Sequence, residues 1–233
     1  MRITPEISGT SIVLIGSFNP AIFTPAWFEL HGLLPEGVAE VAKLEIAHPQ
    51  TTSFSAEWLI LNVMPERFSA ETVQAPDVRL LDLVVRTFKE YLNHTPLKMF
   101  GINRNVHFRV QSLAERDRIG RTLAPVEPWG AWSEELGLDG PHGGMTSLTM
   151  SQLDPKGRPE GGRINVKVEP STRIGDGRTG VFVNVNDHYE ADVNQRDPTE
   201  GVIKLLEENF EESIDRSNRL IDHVMSLANL QEA

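Results

Sequence analysis

Two stretches of this chain repeat one another, and that repetition is the strongest constraint on what it can fold into. "LILNVMPERFSAETVQAPDVRLLDLVVRTFKEYL" (59–92) can be set against "VFVNVNDHYEADVNQRDPTEGVIKLLEENFEESI" (181–214). Asn62 then meets Asn184, Val63 meets Val185 and Pro76 meets Pro198. Further on, Leu80, Leu81 and Leu83 fall on Val202, Ile203 and Leu205, Phe88 on Phe210 and Leu92 on Ile214. Each copy reads as a strand, an extended segment, a proline at a helix start and an amphipathic helix. A one-residue slip between Phe68 and Tyr189 lies in the connecting part, where length changes are tolerated.

Further strands surround both copies. In the first half they are expected at 11–16, 38–48 and 97–111, and in the second at 145–153, 162–170 and 181–188. The connections "DPKGRPEGG" and "STRIGDGRTG" are rich in Gly and Pro, which implies an antiparallel meander. The fold class is therefore α+β. Two similar strand-strand-strand-helix halves build antiparallel sheet, helices pack on one face, and a long helix ends the chain. The halves are residues 1–124 and 144–233, joined by a Gly/Pro/Trp-containing loop at 125–143, in one compact unit. "SLAE" (112–115) has the form of a capping box opening a helix to about Leu123. From Pro198 to about Leu230, Val202, Leu206, Phe210, Ile214, Ile221, Met225 and Ala228 recur near a helical period. At 1.5 Å per residue that helix runs roughly 45 Å, long enough for its end to reach a second subunit.

The charge balance narrows the partners. With 22 basic and 33 acidic residues the net charge is −11, so nucleic acid and anionic membrane repel the chain on average. No run of about eighteen apolar residues suggests a membrane span, and the N-terminus lacks the features of a secretory signal. The absence of Cys fits a reducing compartment. A cytoplasmic location is expected, with no membrane partner and nucleic acid disfavoured.

"GSFNP" (16–20) resembles the opening of the nucleotidylyltransferases, where a strand delivers a turn onto triphosphate. That family needs two histidines just beyond, to stabilise charge on the transferred phosphoryl group. Here Ile22 and Pro25 stand in those places. "PSTRI" (170–174), which resembles the family's Ser-Thr segment, sits between hairpin strands. The meander also conflicts with that family's parallel sheet. The stretch is read as a decoy: a strand ending at Gly16, a turn at Asn19-Pro20, then a short helix after Pro25, with Phe23, Trp27 and Phe28 on the core. The seven histidines form no metal-ligand pair. "NDHYEAD" (186–192) collects Asp187, His188, Glu190 and Asp192 but has no second cluster. No nucleophile elbow or Cys is present, and "GPHGG" (140–144) lacks a phosphate-loop Lys. No catalytic residue, metal or cofactor is expected.

What remains is a surface. If the helices cover one side of the sheet, the other stands open. Period two sends Val106, Phe108, Val110, Ile164, Val166, Val168, Val181, Val183 and Val185 inward. It sends outward Asn105, His107, Arg109 and Gln111, then Arg163, Asn165, Lys167 and Glu169, then Phe182, Asn184, Asn186 and His188. Through the repeat, the matching first-half row is Trp58, Ile60, Asn62 and Met64. Exposed Trp58, Ile60, Met64 and Phe182 would mark an interface, unless the Trp129–Trp132 loop folds over them.

"HTPLKMFGINRNVHFRV" (94–110) carries a Thr-Pro, Gly-x-Asn pattern between a helix and a strand. In this it resembles an uncharacterised, sporadically distributed bacterial family, for which the resemblance implies no activity and no catalytic residues. The repeated sheet-plus-helix plan is similar in outline to TATA-binding-protein-like and START-like folds, a likeness of architecture that carries no function. The leading expectation is a non-enzymatic cytoplasmic protein that recognises a protein partner, or itself as a homodimer, through the open face. Its expected binding residues are Trp58, Ile60, Met64, His107, Arg109, Phe182, Asn184, Asn186 and His188. A second reading makes His107, Arg109 and His188 part of a polar cleft for a small ligand or a reaction. A third gives His107, Arg109, Arg163 and Lys167 to nucleic acid.

Overall fold

A computed structural model describes residues 3–136, 144–190 and 198–229. Nine strands form a single sheet: β1 (Ile7–Gly16), β2 (Lys43–His48), β3 (Thr51–Ala56), β4 (Leu59–Met64), β5 (Arg67–Thr72), β6 (Leu97–Arg109), β7 (Leu148–Leu153), β8 (Arg163–Pro170) and β9 (Gly180–Glu190). Their order is β2-β3-β4-β5-β1-β6-β9-β8-β7, and every neighbouring pair is antiparallel. The α+β fold with an antiparallel sheet and a long last helix is the expected one.

The helices are α1 (Pro25–Leu30), α2 (Val38–Val41), α3 (Val78–Arg86, continued by a π-helical turn over Thr87–Tyr91), α4 (Leu113–Leu123), α5 (Ala131–Leu136) and α6 (Pro198–Ser226). The chain twice runs through a long strand, short helices, a meander and a helix. The first pass is β1, α1 and α2, β2 to β5, α3; the second is β6, α4 and α5, β7 to β9, α6. The long strands β1 and β6 pair at the middle of the sheet. β5 lies beside β1 as β9 lies beside β6. By position the counterpart of β9 is thus β5, whereas the sequence match sets β9 against β4. The expected strand at 38–48 begins as helix and becomes strand only at Lys43, and β3 was not foreseen.

Why the helices lie on one side follows from the alternation of each strand. Ile12 and Leu14 of β1, Leu61 and Val63 of β4, Phe68 and Ala70 of β5 and Phe100 and Ile102 of β6 are buried beneath α1 and α3. There Phe18, Phe23, Phe68 and Phe88 pack with ring centroids 5.2–6.3 Å apart. A second cluster joins Val106, Phe108, Ile164, Val168, Val181, Val183 and Val185 to Ile221 and Met225. The inward assignment of β6, β8 and β9 therefore holds. Helix α6 serves both clusters, giving Val202, Leu206 and Phe210 to the first and Ile221, Val224 and Met225 to the second. Each such side chain contributes about 1.5–3 kcal/mol by leaving water. Its far end is occupied within the chain: Arg118 Nη1 of α4 donates to the Ala228 carbonyl at 2.6 Å.

Local signals account for the boundaries. Ser112 Oγ accepts from Glu115 N at 3.2 Å and Glu115 Oε2 accepts from Gln111 N at 2.9 Å, so α4 opens with the reciprocal bonds of a capping box. The "GSFNP" stretch ends β1, which runs antiparallel to both neighbours. A Cβ at Gly16 would collide with the Pro96 carbonyl oxygen, so its glycine serves close packing. Asn19 Oδ1 accepts from Ala21 N, and Thr24 Oγ1 caps α1 through Trp27 N.

Candidate functional site: the open sheet face

Among the described residues, no helix covers the second face of the sheet. Its side chains fall into rows that cross the strands. One runs Glu71, Ser11, Asn103, Asn186, Asn165 and Ser151, from β5 through β1, β6, β9 and β8 to β7. It is polar at every step. Asn186 Nδ2 donates to Asn103 Oδ1 at 2.6 Å, Asn165 Nδ2 to Asn186 Oδ1 at 3.4 Å, and Ser151 Oγ to Asn165 Oδ1. In the adjacent row Asn184 Nδ2 donates to Asn105 Oδ1 at 2.8 Å. These amides satisfy one another across strands, which fixes their rotamers and leaves the remaining donors and acceptors facing outward.

Two glycines shape the floor. Gly9 lies between Glu71 and Asn105, where an added Cβ would find ordinary contact at 3.5 Å with each. Gly101 lies where a Cβ would come within 2.9 Å of Asn186 Nδ2, so the missing side chain makes room for the amide row. Over the centre stands a shallow depression of ≈ 490 Å³, touched by Val13, Ser69, Asn103, Arg163, Asn186 and His188. Beside it a smaller cavity of ≈ 280 Å³ collects Glu71, Asn105, His107, Arg173 and Phe182.

The charges of this face are tuned by burial. Glu71 is half-buried, and desolvation raises its carboxyl above the ordinary range, against the pull of Arg173. His107 is held below the ordinary imidazole value by burial and then by Arg173. His188 is lowered by burial and Arg163, with Glu190 opposing. At neutral pH both imidazoles are therefore uncharged. His107 Nδ1 lies 2.8 Å from Ser171 Oγ, and its ring stacks on Phe182 at 4.6 Å.

The expected binding residues divide. Phe182, Asn184, Asn186 and His188 stand on the open face, as do Ile60 and Met64, which are 45% and 46% exposed. His107 faces the same way but is buried by its Phe182 and Ser171 contacts. Arg109 is tied to Glu6 by an ion pair at 2.5 Å. Trp58 is misplaced: it is buried on the helix side, with the Arg79 guanidinium 5.1 Å above its ring. The reason is that Trp58 belongs to the turn before β4, beside Glu57 with its left-handed φ of 44°, and so lies outside the strand over which period two can be counted. Trp129 and Trp132 pack on each other at 5.4 Å and remain exposed. The described part of their loop thus leaves Ile60 and Met64 open.

Residues that sequence reasoning missed include Glu71, whose segment read only as extended, and Ile46, whose row passes through Ser53 and Asn62. Asp187 was grouped with His188 and Glu190 but points to the helix side. Asp192 and His142 lie outside the described residues. Among the described residues no group of three His, Cys, Asp or Glu side chains could hold a metal ion, and no helix is long and apolar enough to cross a membrane. Compared with protein-family models and with curated proteins, the chain matches none.

Proposed function

We propose that this is a cytoplasmic binding protein that recognises a protein partner through the open face of its sheet. The observation that carries the reading is the nine-strand face that no helix covers among the described residues. A rigid amide row fills its middle, and Ile46, Ile60 and Met64 are exposed toward the β2–β4 flank. Apolar anchors beside fixed polar groups suit a protein interface, where a few buried side chains supply affinity and aligned polar groups supply register. The doubled course of the chain is read as an internal duplication that made such a wide face.

The test is differential capture. Immobilised wild-type chain, an Ile60→Asp/Met64→Asp variant and a Trp129→Ala control are exposed to extract of the organism that encodes it. A partner held by wild type and control but lost from the double variant supports the reading. Identical capture by all three overturns it.

A second reading rests on the cavity where Glu71, His107 and Arg173 converge with Phe182. It makes the same face a small-ligand site, with an anion or hydrogen-bonding group held by Arg173 and the carboxyl. A ligand whose binding shifts the His107 imidazole resonances, and is lost in Glu71→Gln, favours it. Resonances unmoved by every ligand class offered count against it.

A further inference from the structure

On the helix side of the sheet, α4 does not close fully onto the second core. A cavity of ≈ 280 Å³ stays between α4, β8 and the start of β9, near the lower end for a small-molecule site. Its floor is apolar: Ile119, Val168 and Val181 of the second cluster, with Met145 beside them. Gly120 opens it. Glycine weakens a helix, yet α4 carries one at a position that lines the cavity. An added Cβ would stand in ordinary contact with the Met145 side chain at 3.4 Å, so close packing does not demand the glycine. What its missing side chain supplies is room.

The rim is charged. Asp117 pairs with Arg116 at 3.1 Å and Glu169 with Lys167 at 2.7 Å, so each carboxylate has its own cation. Arg178, on the connection from β8 to β9, lines the same cavity, and its guanidinium has no partner among the described residues. A chain of net charge −11 thus keeps an unpaired cation at the mouth of an apolar hollow. A guanidinium takes a carboxylate through two parallel hydrogen bonds, and the floor beneath it suits an apolar tail. We infer that this cavity binds a small apolar carboxylate, with its tail on Ile119, Val168 and Val181 and its charge against Arg178. The site lies on the opposite side of the sheet from the open face, so the inference does not rest on the partner reading.

Isothermal titration with octanoate, octylamine and butanoate tests it. Octanoate should saturate a single site. Octylamine has a similar tail and the opposite charge, whereas butanoate keeps the charge and loses more than half the tail. Each should bind at least about tenfold more weakly than octanoate. Arg178→Gln should weaken octanoate about fivefold without weakening octylamine. Gly120→Leu, which fills the hollow, should abolish binding with circular dichroism unchanged. The ligand comparisons need no variant, so they decide even where Gly120→Leu fails to fold. Arg173→Gln in the open-face cavity and Met64→Asp on the open flank should titrate as wild type does. No saturation by octanoate overturns the inference, and so does equal binding of octanoate and either comparison ligand. Loss of octanoate in Arg173→Gln but not in Arg178→Gln also overturns it, and assigns the anion to the open-face cavity.

Discussion

Arg216 on α6 places Nη1 2.8 Å from Oδ2 of Asp187 on β9, and this pair pins the long helix across the sheet. Asp187 is 1% exposed. Its other oxygen meets Arg158 Nη1 at 2.5 Å, an ion pair without hydrogen-bond alignment. The Arg158 guanidinium lies 4.0 Å from the Tyr189 ring centroid, so the β7–β8 connection, β9 and α6 converge on one carboxylate. Asp187→Ala removes the buried counter-charge that both guanidinium groups share, leaving Arg216 only the exposed Glu212 carboxylate at 3.7 Å. It is expected to cost about 3–5 kcal/mol in urea unfolding, with Arg216→Met milder because the carboxylate keeps Arg158.

Burial of the imidazoles sets the acid response. The folded values of His107 and His188 are lowered, so the unfolded chain binds more protons below the ordinary value of 6.5. Their contribution to stability is complete above that value and falls as pH drops through it toward the folded values. Thermal unfolding should show Tm decreasing as pH falls below 6.5. His107→Gln and His188→Gln together should flatten that slope.

Glu71 carries the opposite sign. Its folded value is raised, so the folded chain holds the proton more tightly and the carboxylate costs stability once pH exceeds 4.5. Glu71→Gln is expected to raise Tm by about 1–3 °C at pH 7 and by less near pH 4.5. An unchanged difference between the two pH values would contradict the assignment.

Two glycines in one strand should respond differently to the same substitution. Gly9→Ala meets only ordinary contacts, whereas Gly16→Ala drives its methyl into the Pro96 backbone. We expect the first to lie within ~0.5 kcal/mol of wild type and the second to cost ~1–3 kcal/mol in chemical denaturation.

On the exposed flank, Ile60→Asp and Met64→Asp should each change stability by no more than ~0.5 kcal/mol. Loss of capture would then report recognition and not folding.

Strands with one face on the core were legible in the sequence, because Val181, Val183 and Val185 alternate with Phe182, Asn184 and Asn186 over a long run. β3 was not: Thr52, Ser53 and Phe54 are buried in succession, which hides a period of two. Trp58 was lost to a turn that resets the count. The strand match set β4 against β9 because Asn62 and Asn184 both face outward, a likeness of environment that many strand pairs share. The Asp187 network lay beyond reach, since its two arginines come from a loop and a helix 29 residues apart from it in each direction.

The middle of the sheet also decides how the polypeptide can be divided. β6 enters the sheet before the connection that follows α4, while β7, β8 and β9 form a meander complete in itself. A break between Ala124 and Trp129 would separate no hairpin. It would leave the N-terminal piece with the β6 edge ready and the C-terminal piece with β9 and α6 to dock there. The two pieces of the chain thus meet within the sheet along a single β6–β9 seam, which α6 straddles by packing into both clusters.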